Sequence, residues 1–430
     1  MRSSLEPTGR LQRYTVVGAL FVLSLITYID RAAISTAKGP MASELSLSDQ
    51  AVGLVFSAFA LGYAAAQIPS GWFADHIGPR RALAIVVAFW SLLTSLTGAM
   101  RRLVPLLVVR FLFGVAEAGA FPGSARVFYN WLPASERGIA NGVLFSGALL
   151  GGALAFPFYA WLLQHYSWRG AFYILGVPGL LWAAAWLIWF RDYPNNRIVH
   201  QDVAADKQLS FGKILVSPRM ILAMLQYFAG NFTFYICISW MHPFLLEQYD
   251  LTDAQAAGYS MVPLLCGSSA NWAAGFLVDA LYKSRYRAWS RRIPGIGGFV
   301  MAAVGIFSVS LANSPTTAIL GFAVATFGVE MTISPSWAFC LDIGGKSSGA
   351  ISASMNMAGN FGGFVSTNAF PFLRRLTGSP AMYFHTAAVL NLLAVLCWRW
   401  MSSIGDESNE LMTATAPAEE QNNNEGRQTS

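Results

Sequence analysis

Tyr28-Ile29-Asp30-Arg31 sets an acid beside an arginine inside an apolar run that extends from about Tyr14 to Ala37. Each charge costs about 2.5 to 3.5 kcal/mol at the centre of a membrane helix, so the pair marks a functional site or a fixed ion pair. The surrounding run is long enough to cross a bilayer at about 1.5 Å rise per residue. Arg2, Arg10 and Arg13 precede it, as the basic region of a signal peptide would. Its length and internal charges nevertheless predict a retained first span.

The rest of the chain agrees with that span. Of its 430 residues, 55% are hydrophobic and 12% charged, and the mean hydropathy is +0.46. A chain so apolar cannot wet its whole surface, which predicts an integral membrane protein embedded in a lipid bilayer. Cys237, Cys266, Cys340 and Cys397 lie in apolar runs, with no disulfide framework or zinc spacing. The net charge of +6 sits in the loops between runs and follows topology, so no nucleic-acid partner is expected. No cofactor or metal site is expected either. His76, His165, His200 and His385 fall at span ends or in loops, and His242 lies near the outer end of span seven.

About twelve apolar spans can be counted, at 14–37, 51–74, 82–100, 103–130, 138–163, 170–191, 219–246, 255–280, 292–313, 316–343, 347–373 and 380–402. The predicted fold is an all-α membrane protein with twelve transmembrane helices in two pseudo-symmetric six-helix halves, 14–191 and 219–402. Residues 1–13 form a cytoplasmic N-terminal segment and 192–218 a central cytoplasmic loop. The tail 403–430, acidic and rich in Asn and Gln, is predicted to be disordered. Arg80, Arg81, Arg137, Arg197, Lys207, Arg285, Arg287 and Lys346 fall on the side of the N-terminus, against Lys38, Arg101, Arg102, Arg169, Arg374 and Arg375 on the other. The bias predicts both termini in the cytoplasm.

Two matches point to an internal duplication. Gly71-Trp72-Phe73-Ala74-Asp75 ends span two, and Gly275-Phe276-Leu277-Val278-Asp279 ends span eight. In span four Phe113-Gly114-Val115 leads to Glu117 and Pro122, while in span ten Phe327-Gly328-Val329 leads to Glu330 and Pro335. Repeats of this kind put a substrate site near the midplane between the halves, with access alternating as they rock.

Helical spacing groups the polar residues of the spans. Tyr28, Arg31 and Ser35 share one face of span one, with Asp30 about 100° away. Either the pair pins span one to a neighbour, or Arg31 recognises an anion while Asp30 tunes it, because a guanidinium matches a carboxylate bidentately. Arg110 and Glu117 share a face of span four with Cα atoms about 10 Å apart, too far for direct contact. Glu117 is the first candidate for a proton-coupling site, and a permanent ion pair is the alternative. Glu330, Ser334 and Trp337 form a cavity-lining stripe in which Glu330 is a second proton site or simply a hydrogen-bond acceptor. Tyr63 with Gln67, Asn231 with Tyr235, and Ser352 with Asn356 and Asn360 either bind a hydroxylated ligand or glue helices together. The loop from Gly71 through Asp75 to Arg80 and Arg81 reads as a gate, since an acid beside cations at the rim can latch one state.

The Gly71 to Arg81 loop resembles the signature between spans two and three of the major facilitator superfamily, with Pro79 where a basic residue is more usual. Within that superfamily the chain is similar to the anion:cation symporter family. The likeness is carried by Tyr28-Ile29-Asp30-Arg31, by Arg110 to Gly123 with Glu117 and Pro122, by Trp131-Leu132-Pro133 with Glu136-Arg137-Gly138, by Ser334-Pro335-Ser336-Trp337, and by Asn356 to Asn360. The resemblance implies protonation at Asp30 and Glu117, substrate carboxylate at Arg31, and Arg110 as the charge partner of the acids. It also implies a sugar-acid pocket lined by Tyr28, Tyr63, Trp337 and Asn356. Glu330 lies outside the family pattern.

The expectation is a monomeric importer of a small organic anion, a sugar acid, driven by proton symport in a bacterial inner membrane. An exporter of a hydrophobic or cationic compound uses the same fold, but Arg31 in the cavity argues against it. A sensor would need a signalling domain larger than the tail. No nucleophile and base set suggests an enzyme.

Overall fold

The computed structural model describes residues 7–194, 211–249 and 251–401. Most of the predicted central loop, residues 195–210, and the whole tail 403–430 lie outside the described residues. The described part is helical. Its first half contains α1 (Pro7–Thr36), α2 (Lys38–Leu45), α3 (Asp49–Ile77), α4 (Pro79–Ala99), α5 (Leu103–Glu117), α6 (Ala120–Trp131), α7 (Arg137–His165) and α8 (Trp168–Trp189). The second half contains α9 (Phe211–Leu215), α10 (Pro218–Tyr235), α11 (Met241–Tyr249), α12 (Asp253–Tyr282), α13 (Arg292–Val309), α14 (Pro315–Gly344), α15 (Ser348–Thr377) and α16 (Ala381–Trp400).

These helices make twelve membrane spans once α5 is joined to α6 and α10 to α11. Ser48, Ser167, Ser217, Thr252 and Ser314 cap helix starts by accepting a backbone N–H, satisfying donors that a helix cannot pair internally. Leu61, Leu181 and Ile188 remain largely exposed, as lipid-facing side chains do.

Two spans differ from the continuous helices expected. Span four breaks at Ala118 and Gly119, directly after Glu117. Pro122 has no N–H to donate to the carbonyl of Ala118, so the ladder cannot run through. Span seven carries a π-helical turn, Ile236–Trp240, between α10 and α11. Pro243 follows that turn and removes the donor that Ser239 would need, and the wider turn absorbs the mismatch.

The duplication is visible in the packing. Span one packs on span five (α1 on α7), as span seven does on span eleven (α10 on α15). Spans two and four pair (α3 on α5), as do eight and ten (α12 on α14). The halves meet by the same rule, α7 against α12 and α15 against α3. At the first crossing a Cβ on Gly275 would stand 2.9 Å from the Ile139 Cα, and at the second one on Gly71 would stand 2.5 Å from the Gly349 carbonyl oxygen. Only glycine lets these backbones approach so closely.

Candidate functional site

Four charged side chains converge near the middle of the first half. Arg31 on α1 donates from Nε and Nη2 to Oε1 of Glu117 at 2.9 and 2.5 Å. Its neighbour Asp30 is buried, and among the described residues it makes no ion pair with Arg31. Arg31 is therefore held by an acid from span four and not by Asp30, because adjacent residues on a helix diverge by about 100°. Arg110 stays on the far side of the cluster, its guanidinium carbon 4.5 Å from the Phe113 ring centroid and 5.3 Å from that of Phe59.

Arg31 is surrounded by π faces, with Tyr28 at 4.9 Å, Phe59 at 5.3 Å and Tyr63 at 4.8 Å. About a quarter of its side chain, 26%, remains accessible, whereas Glu117 is 1% exposed. Asp30 and Arg110 are equally buried. Among the described residues, Oδ2 of Asp30 and Oε2 of Glu117 are buried without a hydrogen-bond partner. An ionised carboxylate oxygen left in that condition is costly.

The second half faces this cluster with polar groups. Asn356 on α15 reaches Tyr63 Oη at 3.4 Å and Gln67 Oε1 at 3.2 Å, joining the halves at the midplane. Asn360 donates to the carbonyl of Asn356 at 2.8 Å. Trp337 is fully buried, donates to Tyr227 Oη at 2.9 Å and packs on Phe145 and Phe121. In this conformation it backs the site and offers a ligand no surface. Glu330 on α14 accepts from Asn271 Nδ2 at 2.6 Å.

The predicted gate divides. Gly71 and Asp75 join the halves, as Asp75 accepts from the backbone N–H groups of Gly349 and Ala350 at the start of α15, at 2.9 and 2.8 Å. Arg80 does not reach across. Its guanidinium bonds the carbonyl of Leu187 in its own half, and its backbone N–H bonds Asp192 just past the end of that half. Arg81 is exposed. Helix α4 starts at Pro79, which turns Arg80 back over its own half, and Arg126 stands 3.8 Å from Asp75 instead.

Sequence reasoning did not foresee that Asp279 repeats the Asp75 contact. It accepts from Gly138 and Ile139 at the start of α7, at 2.9 and 2.8 Å. The matching Gly-to-Asp segments were the signal that could have shown it. Asp342, which bonds both Arg137 at 2.7 Å and Arg291 at 3.2 Å, and Asn271 left no local signal. Their partners are distant in sequence. All these contacts between the halves lie from the midplane toward the face that carries the chain ends, so the halves are clasped on that face.

The model of the Major Facilitator Superfamily matches residues 20–367. A probable sulfoacetate transporter, SauU of Cupriavidus necator, is 30% identical over 95% of this chain and 96% of its own. A probable galactarate/D-glucarate transporter, GudP of Bacillus subtilis, is 27% identical over 88% of this chain and 89% of its own. A D-galactonate transporter of Escherichia coli is 27% identical over 88% and 93%. Among solved structures, the proton:xylose symporter XylE superposes with a TM-score of 0.75 at 15% identity, covering 91% of this chain and 96% of that one. FucP in its outward conformation gives 0.71 at 15% identity, over 89% and 98%. With twelve spans in two repeated halves and a family match over most of its length, the chain belongs to the Major Facilitator Superfamily and is a transporter, not an enzyme.

Proposed function

We propose that the protein imports a small organic anion, a sugar acid, together with protons, acting as a monomer in the cell membrane with both termini in the cytoplasm. The single observation that carries this reading is the accessible Arg31, ringed by aromatic faces and held by the buried Glu117. The names of the relatives support the substrate class, since they are those of a probable sulfoacetate transporter, a probable galactarate/D-glucarate transporter and a D-galactonate transporter.

Glu117 and the substrate carboxylate compete for one guanidinium. With Glu117 ionised, Arg31 is occupied by the charge-assisted contact to Oε1. A proton taken up by Glu117 removes the charge, weakens that contact and frees Arg31 for an anion entering from the face opposite the clasp. Asp30, beside Arg110 and Glu117, is the second proton site. Rocking of the halves then exposes the site to the terminal face, where proton loss returns Arg31 to Glu117 and expels the anion. Tyr28, Tyr63, Asn356 and Asn360 line the path and offer hydrogen bonds to hydroxyls.

Uptake into proteoliposomes tests this reading. An inward proton gradient should drive accumulation of a labelled sugar acid, and Arg31→Ala should abolish it. Uptake that ignores the gradient for every sugar acid tried, or that survives Arg31→Ala, would sink the proposal and favour an exporter of hydrophobic or cationic compounds.

A further inference from the structure

Glu330 differs from the other buried acids of the site. It is 5% exposed, its Oε2 takes the Asn271 amide, and among the described residues no cation pairs with it. The groups packed against it are neutral ones, Gly267 and Asn271 on α12 and Thr326 on its own helix, and the titratable groups in its neighbourhood are Cys237 in the π turn, Tyr227 on α10 and Tyr28 on α1. The backbone makes room for it, since a Cβ on Gly267 would stand 2.9 Å from Cγ of Glu330.

The stripe on which Glu330 stands points at the other half. Ser334, one turn on, donates to the carbonyl of Gly138 at 2.6 Å, and the Trp337 ring lies 5.0 Å from that of Phe145. In the first half, the Arg31 guanidinium lies over the Tyr28 ring at 4.9 Å. The first half thus presents a partly accessible cation, and the second a buried acid with no cation paired to it among the described residues.

Resting on the reading of Arg31 as the anion hook, we propose that Glu330 receives the distal end of the substrate, and that a dianion binds only with a proton shared between its second acid group and Glu330. Two ionised carboxylates brought together in a low-dielectric site without a cation repel strongly. One proton between them replaces that repulsion with a charge-assisted O–H···O hydrogen bond. The proton enters from solvent with the dianion and is released with it on the other side. A monoanion presents a hydroxyl to Glu330 and needs no such proton.

Calorimetric titration of the purified full-length protein with galactarate and with galactonate tests this, since the two share a six-carbon chain and differ by one acid group. The ratio of their affinities cancels the protons taken by Asp30 and Glu117, which serve both anions. From about pH 6 to about pH 9, where both free acids are already ionised, the ratio of galactarate to galactonate affinity should fall by up to about tenfold per pH unit in the wild type. It should be flat in Glu330→Gln, which keeps an acceptor for Asn271, and should fall again in Glu330→Asp. A flat ratio in the wild type, or an equal slope in Glu330→Gln, overturns the inference. Absence of binding by either anion to the wild type overturns the Arg31 reading, and this inference with it.

Discussion

Replacing Asp75 by Asn should open the clasp between the halves. The carboxylate accepts two backbone N–H bonds at 2.9 and 2.8 Å from the first turn of α15, and the positive end of that helix favours its charge. Asn offers one oxygen and turns an NH2 toward the other N–H, so one charge-assisted bond is lost and the second becomes neutral. Hydrogen bonds to charged groups contribute about 1.5 to 3 kcal/mol and neutral ones about 1 kcal/mol, which puts the loss at about 2 to 5 kcal/mol. That is on the order of 30-fold to several thousandfold in the ratio of clasped to open states. Asp279→Asn should do the same, because its two bonds at α7 have matching lengths, and the double variant should do more. Spin labels at Arg81 and Ser284, exposed sites on the two halves at the terminal face, report the separation by pulsed electron resonance. Cys266, the free thiol that is not fully buried, is replaced by Ser in this background. A longer-distance population should appear in each single variant and dominate in the double one. An unchanged distance distribution in the double variant would refute the argument.

Three further outcomes follow from the charged cluster and its surroundings. Arg31→Ala strands Glu117 in a buried position and should cost about 3 to 5 kcal/mol; thermal melts should show most of this recovered in Arg31→Ala with Glu117→Gln, while titration shows anion binding still absent. Glu117→Gln alone should retain exchange of labelled anion across proteoliposomes yet lose accumulation driven by a pH gradient. Outside the membrane, Arg169, hydrogen-bonded to Glu44 at 2.9 Å, and Trp168, bonded to it at 2.6 Å, hold the Glu44 carboxyl below its usual range. A folded value below the unfolded one adds stability above the ordinary glutamate range near about pH 4.3, and that stability fades as pH falls through the lowered value. Melts of Glu44→Gln should therefore lie below wild type at neutral pH and converge with it in acid.

Much of this architecture can be read from local pattern. Apolar runs marked the spans, and the repeated segments ending at Asp75 and Asp279 marked the halves, because both signals are written into neighbouring residues. The partner of Arg31 cannot be read that way. Glu117 lies 86 positions away, and its contact depends on how α1 crosses the end of α5. The same holds for Asn271 beside Glu330 and for Asp342 between Arg137 and Arg291, where helix packing decides the pairing. Arg80 shows the converse. Its motif suggested a role across the halves, and the turn at Pro79 sends it to Leu187 instead.

The break after Glu117 has a mechanical meaning. The segment before it, α5, packs on α3 and α4 of its own half, while the segment after it, α6, also touches α14 and α15 of the other. A displaced second half therefore pushes on α6 as on a short lever, and the fulcrum at Ala118 and Gly119 adjoins the acid that holds Arg31. An unbroken helix would spread such a push along its length as a gentle bend. The interruption delivers it to one peptide, next to the carboxylate whose grip on the guanidinium sets whether an anion is held or let go.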